Sequence, residues 1–245
     1  MIYEAEYKPF FRDADADGLI GLRGYMNYFQ DCASYFMHNL GKGNDSLPEK
    51  YNCAWIYTKY KVEILKKAGF EKDLKFSSWV EKWKSTAIVK QGFEVCKNGE
   101  IYMHGRLESC ALDLNKRKLT SLKTIEFSNE EFGIDKEVGV EKFSRLPKSN
   151  EDMEYVYTHK VLYTDLDKTM HMTNLRYVDL FLNAFSSDFY TSNVIKDFEI
   201  HFVSQCYEGE EIKVYKSICD NKVSFVGVHE DGTVAATAMV GLEKI

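Results

Sequence analysis

The sequence has no excess of positive charge. Its 245 residues carry 32 Lys and Arg against 38 Asp and Glu, a net charge of −6. A broad basic footprint of the kind that holds nucleic acid is therefore absent. Local basic patches stay open at Lys66, Lys67 and Asn115-Lys-Arg-Lys118. No two cysteines form a Cys-x-x-Cys pair. Cys32, Cys53, Cys96, Cys110, Cys206 and Cys219 are scattered, which excludes zinc-finger spacing and a small disulfide scaffold. No apolar run approaches the ~20 residues that span a bilayer. The start, Met1 through Phe11, lacks the basic region and apolar stretch of a signal peptide. Also missing are a Gly-x-Ser-x-Gly elbow, a Walker loop, a His-Glu-x-x-His pair and a dinucleotide fingerprint. These absences lead us to expect a soluble, cytoplasmic protein with reduced cysteines. They also lead us to expect no membrane span, no nucleic-acid partner, no metal and no cofactor.

What is there is an ordinary globular composition, 44% hydrophobic and 29% charged. The 14% aromatic content, with 16 Tyr and 16 Phe, fits either many strands or a large apolar pocket. The length fits one large domain or two small ones.

A repeat decides between these. Shifted by 152 positions, Asp13, Asp15, Tyr25 and Phe29 fall on Asp165, Asp167, Tyr177 and Phe181. A helical pattern follows each Asp-x-Asp. In the first half it runs through Met26, Phe29, Ala33, Phe36 and Leu40, with Gly41 as the stop. In the second it runs through Leu175, Val178, Phe181, Leu182 and Phe185, with Thr173 or Asn174 as the N-cap. Alternating strands come next, marked by Tyr60, Val62 and Ile64 and by Phe198, Ile200 and Phe202. Further strands are predicted at Leu74–Val80 and Ile212–Tyr215, hairpin turns at Asn98-Gly99 and Asp231-Gly232, and closing strands at Ile101–Leu114 and Thr233–Leu242. The predicted fold is α+β: two units, each a long helix on an antiparallel sheet, packed as an intramolecular pseudo-dimer. The expected divisions are 1–130, a charged linker 131–152 containing Pro147, and 153–245.

Asp13-Ala-Asp15-Ala-Asp17-Gly18 also matches the opening of a calcium-binding EF-hand loop. Its twelfth position is Gly24 where the bidentate Glu belongs, and Pro9 with Phe10-Phe11 makes a poor incoming helix. The repeat explains these aspartates better.

The run Asp165-Leu-Asp167-x-x-x-His171-x-x-Asn174-x-x-Tyr177 resembles the signature of the acyl-acyl carrier protein thioesterases, the tandem hot-dog enzymes that end fatty-acid synthesis in plants and bacteria. Trp55 with its strand, Trp79-Val80 and Arg106 through Asp113 fall where that family has similar segments. The resemblance implies that the second half carries catalysis and the first contributes most of the acyl pocket. It implies an acyl carrier protein bearing a fatty acyl chain as partner; a homodimer is also open. The family pattern is Asp-x-Asn-x-His with a later Glu-Cys. Asp167 and His171 match it, Thr169 stands for the Asn, and Gln205-Cys206 stands for Glu-Cys.

Thioester hydrolysis needs a positioned water, a base and donors for the oxyanion. Histidine ordinarily titrates near ~6.5, so His171 is the expected base. Asp167 is expected to orient it or hold the water. Thr169 can offer a hydroxyl and Gln205 can hold a water without taking its proton. The helix starting near Asn174 turns its free N–H groups to the loop. Leu19 is the first-half counterpart of His171, so one working site is expected. Cys206 is read as a packed strand residue rather than a nucleophile. Trp55 and Tyr57 either line the acyl pocket or are core aromatics. The expected activity is hydrolysis of fatty acyl-acyl carrier protein. The alternatives are an acyl-CoA thioesterase of the same fold and a catalytically weak acyl-thioester-binding protein.

Overall fold

The computed structural model describes residues 1–69 and 74–245. The chain divides into two compact units, Met1–Glu141 and Lys142–Ile245. No helix among the described residues is long and apolar enough to cross a membrane.

The first unit contains β1 (Ile2–Tyr7), α1 (Leu22–Asn39), α2 (Leu47–Tyr51), β2 (Cys53–Ile64), β3 (Leu74–Glu81), β4 (Ile88–Lys97), β5 (Glu100–Asp113), β6 (Lys118–Leu119), α3 (Asn129–Phe132) and β7 (Gly133–Ile134). Its main strands run in the order β1-β3-β4-β5-β2, all neighbours antiparallel. Helix α1 buries Tyr25, Met26, Phe29, Cys32, Ala33 and Phe36, the face set by helical spacing. Phe29 meets Tyr60 on β2, Phe76 on β3 and Phe93 on β4, which seats the helix on the sheet. The helix stops as predicted. Gly41 takes φ +66°, and the N–H groups of Gly41 and Lys42 bond back to His38 and Met37. A left-handed glycine with this pair of bonds closes the last turn without a Cβ clash. Asn98 and Gly99 both have positive φ in the β4–β5 turn, the backbone a two-residue hairpin requires.

The second unit contains β8 (Glu154–Lys160), α4 (Asn174–Leu182), α5 (Ser187–Tyr190), β9 (Asn193–Phe202), β10 (Glu211–Cys219), β11 (Lys222–His229) and β12 (Val234–Lys244). Its strands run β8-β10-β11-β12-β9, the same order as the first unit, again all antiparallel. Helix α4 buries Tyr177, Val178, Leu180 and Phe181, and Phe181 packs on Phe225 of β11. Gly227 on β11 lets the helix in. A Cβ there would stand 3.3 Å from Ile212 and 3.5 Å from Leu180. Each unit is thus a helix laid on an antiparallel sheet, and the fold is the tandem hot-dog.

Two details differ from the sequence reading. Helix α4 has 9 residues against 18 in α1, and it ends before Phe185. Phe185 instead stacks with Phe189 and meets Tyr190 and Phe225. That aromatic cluster accounts for its apolar character without a further helical turn. The stretch expected as a linker, 131–152, also carries structure in its first part. β7 pairs in parallel with β3, and Val138 and Val140 are buried against Trp79. The Trp79 indole donates to the Lys136 carbonyl at 2.7 Å, and Arg106 reaches the carbonyls of Val140 and Glu141. Beyond the unit boundary, the Ser144 N–H bonds the buried Glu199 carboxylate at 2.7 Å.

Candidate active site

The Asp-x-Asp loop of the second unit is pinned at both ends by Asp165. This buried carboxylate accepts from the Leu162 N–H at 3.0 Å and from His159 Nε2 at 2.9 Å. Arg176 Nε stands 3.5 Å from its other oxygen, and its carbonyl takes the Thr173 N–H at 2.9 Å. Between these anchors the chain doubles back. The Asp167 N–H bonds the His171 carbonyl, and the Met170 N–H bonds the Asp167 carbonyl. Met170 pays the conformational cost of the bend, with φ +62°.

This turn brings Asp167, Thr169 and His171 into one hydrogen-bonded line. Asp167 Oδ1 accepts from the Thr169 N–H at 2.7 Å and from the Thr169 hydroxyl at 2.6 Å. The same hydroxyl oxygen stands 2.8 Å from His171 Nδ1. A threonine has one hydroxyl proton, and an ionised carboxylate can only accept. The proton therefore points to Asp167, and the oxygen accepts from His171 Nδ1–H. That fixes the tautomer and leaves a lone pair on Nε2. The other five histidines are arranged differently. His38, His104, His159, His201 and His229 each have a ring nitrogen directly on a carboxylate, at 2.7 to 3.4 Å. Among the described residues, His171 is the histidine that meets a hydroxyl and no carboxylate; His229 meets both, with Ser204 on Nε2 and Glu210 on Nδ1.

The other expected residues are placed around this line in different ways. Asn174 is the first residue of α4, and Thr173, its N-cap, makes no side-chain cap bond. The opening N–H groups of α4 thus lie immediately after the His171 loop, a favourable place for developing negative charge. Gln205 and Cys206 follow the end of β9 rather than lying in a strand. The Gln205 side chain is exposed and its Oε1 accepts from the Tyr207 hydroxyl at 3.3 Å. The Tyr207 ring packs edge-on to His171 at 4.9 Å. The Cys206 carbonyl takes the Met172 N–H at 2.9 Å, while its thiol is fully buried. Burial pushes that thiol up to about 11, the Tyr177 hydroxyl partly opposing and Glu210 reinforcing the shift. A thiol held protonated in this way is a poor nucleophile.

Trp55 and Tyr57 lie on β2 of the first unit. Trp55 is core: its indole donates to the Lys42 carbonyl at 2.7 Å, and its ring meets Phe127. Tyr57 is half-buried and edge-on to Tyr60, with burial pushing its hydroxyl up against the pull of a Ser34 hydrogen bond.

The first unit repeats most of the loop's frame bonds, with Gly24 standing where Arg176 does. Asp13 accepts from the Phe10 N–H at 2.8 Å and from the Tyr7 hydroxyl, where Asp165 has Leu162 and His159. The Asp15 N–H bonds the Leu19 carbonyl, where Asp167 has His171. The Ile20 N–H bonds the Ala68 carbonyl, and the Tyr25 hydroxyl bonds the Lys66 carbonyl. Their second-unit counterparts are Met172 to Cys206 and Tyr177 to Ser204. Lys67 is therefore the counterpart of Gln205. Its ammonium sits between Asp15, at 3.2 Å, and Asp17, at 2.8 Å. A lysine stands where a calcium reading of this loop would put the cation. Lys66 is likewise paired, with Glu100 at 2.8 Å, so the candidate basic patch at 66–67 is neutralised.

Tyr207, His159 and Arg176 were not singled out from sequence. Only the equivalence of His159 with Tyr7 left a trace, at the same offset of 152.

The comparisons bear on the family and the fold. The family model for the acyl-ACP thioesterase N-terminal domain matches residues 1–127, and that for the C-terminal domain matches residues 148–240. A search of curated proteins by sequence gives no match. Among solved structures, the chain is similar to an acyl-ACP thioesterase from Bacteroides thetaiotaomicron, with TM-score 0.89 and 22% identity over 99% of this chain and 98% of that one. It is also similar to the 12:0-ACP thioesterase from Umbellularia californica, with TM-score 0.89 and 16% identity over 100% of this chain and 98% of that one. At these identities the structures speak for the fold, and the two family models speak for the family. The chain belongs to the acyl-ACP thioesterase family and is a hydrolase of acyl thioesters.

Proposed function

We propose that the protein releases a fatty acid from fatty acyl-acyl carrier protein, with His171 Nε2 as the general base. What supports this reading is the line Asp167–Thr169–His171, which places the ring proton on Nδ1 and makes Nε2 the basic nitrogen. Nε2 takes a proton from water. The resulting hydroxide attacks the thioester carbon, and the first N–H groups of α4 favour the oxyanion. Collapse of the tetrahedral intermediate breaks the C–S bond. The imidazolium then returns its proton to the departing thiolate. Thr169 does here what a direct carboxylate does for other histidines, and Asp167 acts through it. Gln205, which cannot ionise, serves to hold the water.

The carrier-protein substrate is favoured because both solved relatives carry that substrate in their names. Acyl carrier protein is acidic, and the exposed Lys168 lies in the same loop as His171. Hydrolysis should be assayed with one acyl chain on acyl carrier protein and on coenzyme A, for wild type, His171→Ala and Lys168→Glu. We expect His171→Ala to abolish turnover on both. Lys168→Glu should raise KM several-fold on the carrier protein alone. Faster turnover of the coenzyme A ester would transfer the assignment to that substrate. Unchanged turnover in His171→Ala would remove the histidine from the mechanism.

A further inference from the structure

We propose that Cys206, Glu210 and His229 form a binding site for one thiophilic divalent cation of the zinc class. One ligand atom from each of the three lies within 4.8 Å of one from each of the others. This is the cluster of that kind found among the described residues. The turn after β9 supplies Cys206 and Glu210, and the last residue of β11 supplies His229. Nothing in the hydrolytic mechanism uses the Glu210 carboxylate or the His229 ring.

The donors are already gathered. Cys206 Sγ stands 3.9 Å from His229 Nε2, and Glu210 Oε2 stands 3.4 Å from His229 Nδ1. Ser204 Oγ is 2.8 Å from Nε2 and offers a further oxygen. With zinc–ligand bonds of roughly 2.0–2.3 Å, neighbouring donors in a tetrahedral site sit about 3.3–3.7 Å apart. A contraction of at most about 1.5 Å closes the set. The imidazole turns Nε2 to the thiol, so Nε2 is the ligating nitrogen. Glu210 either swings onto the metal or stays on Nδ1 and orients the ring.

The surrounding backbone is held, which limits how far the donors can drift. The Tyr207 N–H bonds Glu210 Oε2 at 3.0 Å. The N–H groups of Gly209 and Val161 exchange bonds with the carbonyls of Val161 and Glu210. Sulfur, imidazole and one carboxylate suit zinc and its neighbours and do not suit magnesium or calcium, which take oxygen sets. On binding, the thiol gives up its proton and the thiolate sulfur takes the metal. The site would be continuous with the hydrolytic one, because the Cys206 carbonyl holds the Met172 N–H beside His171.

Metal-free protein should be titrated with cobalt(II), following the near-ultraviolet thiolate-to-cobalt charge-transfer band. One cobalt per chain is expected, displaced by zinc and not by magnesium. Cys206→Ser should abolish the band. His229→Gln and Glu210→Gln should each weaken cobalt binding at least tenfold, and they carry the test if Cys206→Ser does not fold. A Cys219→Ser control removes the exposed thiol. Absence of the band in wild type overturns the site. So does a band that survives both His229→Gln and Glu210→Gln, or one that is lost in Cys219→Ser.

Discussion

The two Asp-x-Asp loops share a frame and its second aspartate, Asp15 or Asp167, and differ in what that aspartate faces. Asp15, Asp17 and Leu19 stand in one loop where Asp167, Thr169 and His171 stand in the other. In the first unit Lys67 locks the two aspartates together, so the carboxylates are occupied and no base is present. In the second unit the counterpart of Lys67 is the neutral Gln205, and the carboxylate is turned to a hydroxyl that turns a histidine. The frame bonds set the fold of the loop. What fills the frame decides whether it is a strut or a site.

The largest effect expected from this difference is in His171→Ala, which should lower kcat by roughly 10²–10⁴, the usual worth of a general base. Leu19→Ala, its counterpart, should leave kcat within about twofold. Steady-state kinetics on both variants tests the asymmetry, and similar losses in the two would break it.

Thr169→Val keeps the shape and removes the hydroxyl. It should cost on the order of tenfold in kcat, the worth of the hydroxyl bond that sets the His171 tautomer, with KM little changed. Thr169→Ser should restore most of the loss, a rescue that a purely steric role for threonine would not give.

A smaller effect is expected in the anchors. Asp165→Asn weakens the bonds to His159 and Arg176 and should reduce kcat several-fold. Asp13→Asn in the other loop should lower thermal stability without a matching loss of kcat. Equal kinetic losses would mean that the two loops are not specialised.

The smallest effect is electrostatic. The Lys67 pairs are partly exposed, so Lys67→Met should cost no more than about 1 kcal/mol in unfolding free energy. Burial alone would raise the Asp17 carboxyl, but the bond from Lys67 and the Leu19 N–H outweigh it and hold it below the usual carboxylate range. A carboxyl lowered in the folded state stabilises fully above its unfolded value, ~3.9, and loses that contribution as pH falls through the folded one. The stability gap between wild type and Lys67→Met should therefore narrow below pH ~4 and stay flat from pH ~5 to 8. A gap that is insensitive to acid would show that Lys67 acts through packing.

Much of this frame was legible in the sequence because it is carried by residues that recur at a fixed offset. Asp13, Asp15, Tyr25 and Phe29 recur at 152, and Gly41, Asn98-Gly99 and Asp231-Gly232 mark turns by backbone chemistry. The equivalence of Lys67 and Gln205 was hidden because the offset in that segment is 138, the helix and connection before it being shorter in the second unit. Thr169 was read as the loss of an amide. Its gain, a hydroxyl bridging carboxylate and imidazole, depends on a turn whose closure at Met170 no residue type announces. His229 meets Cys206 and Glu210 only through strand order, and no spacing rule covers it. The charged stretch before residue 142 reads as a tether because Val138 and Val140 are isolated among polar residues, yet they pack on Trp79.

The most direct test is the tautomer of His171, read from the nitrogen chemical shifts of 15N-histidine-labelled protein at a pH where imidazoles are neutral. With the Thr169 hydroxyl donating to Asp167, the Nδ1 signal should be that of a protonated nitrogen and the Nε2 signal that of a free lone pair. The Thr169→Val protein should lose this preference. A His171 signal showing the proton on Nε2 in the wild type would contradict the hydrogen-bond line on which the assignment of the base rests.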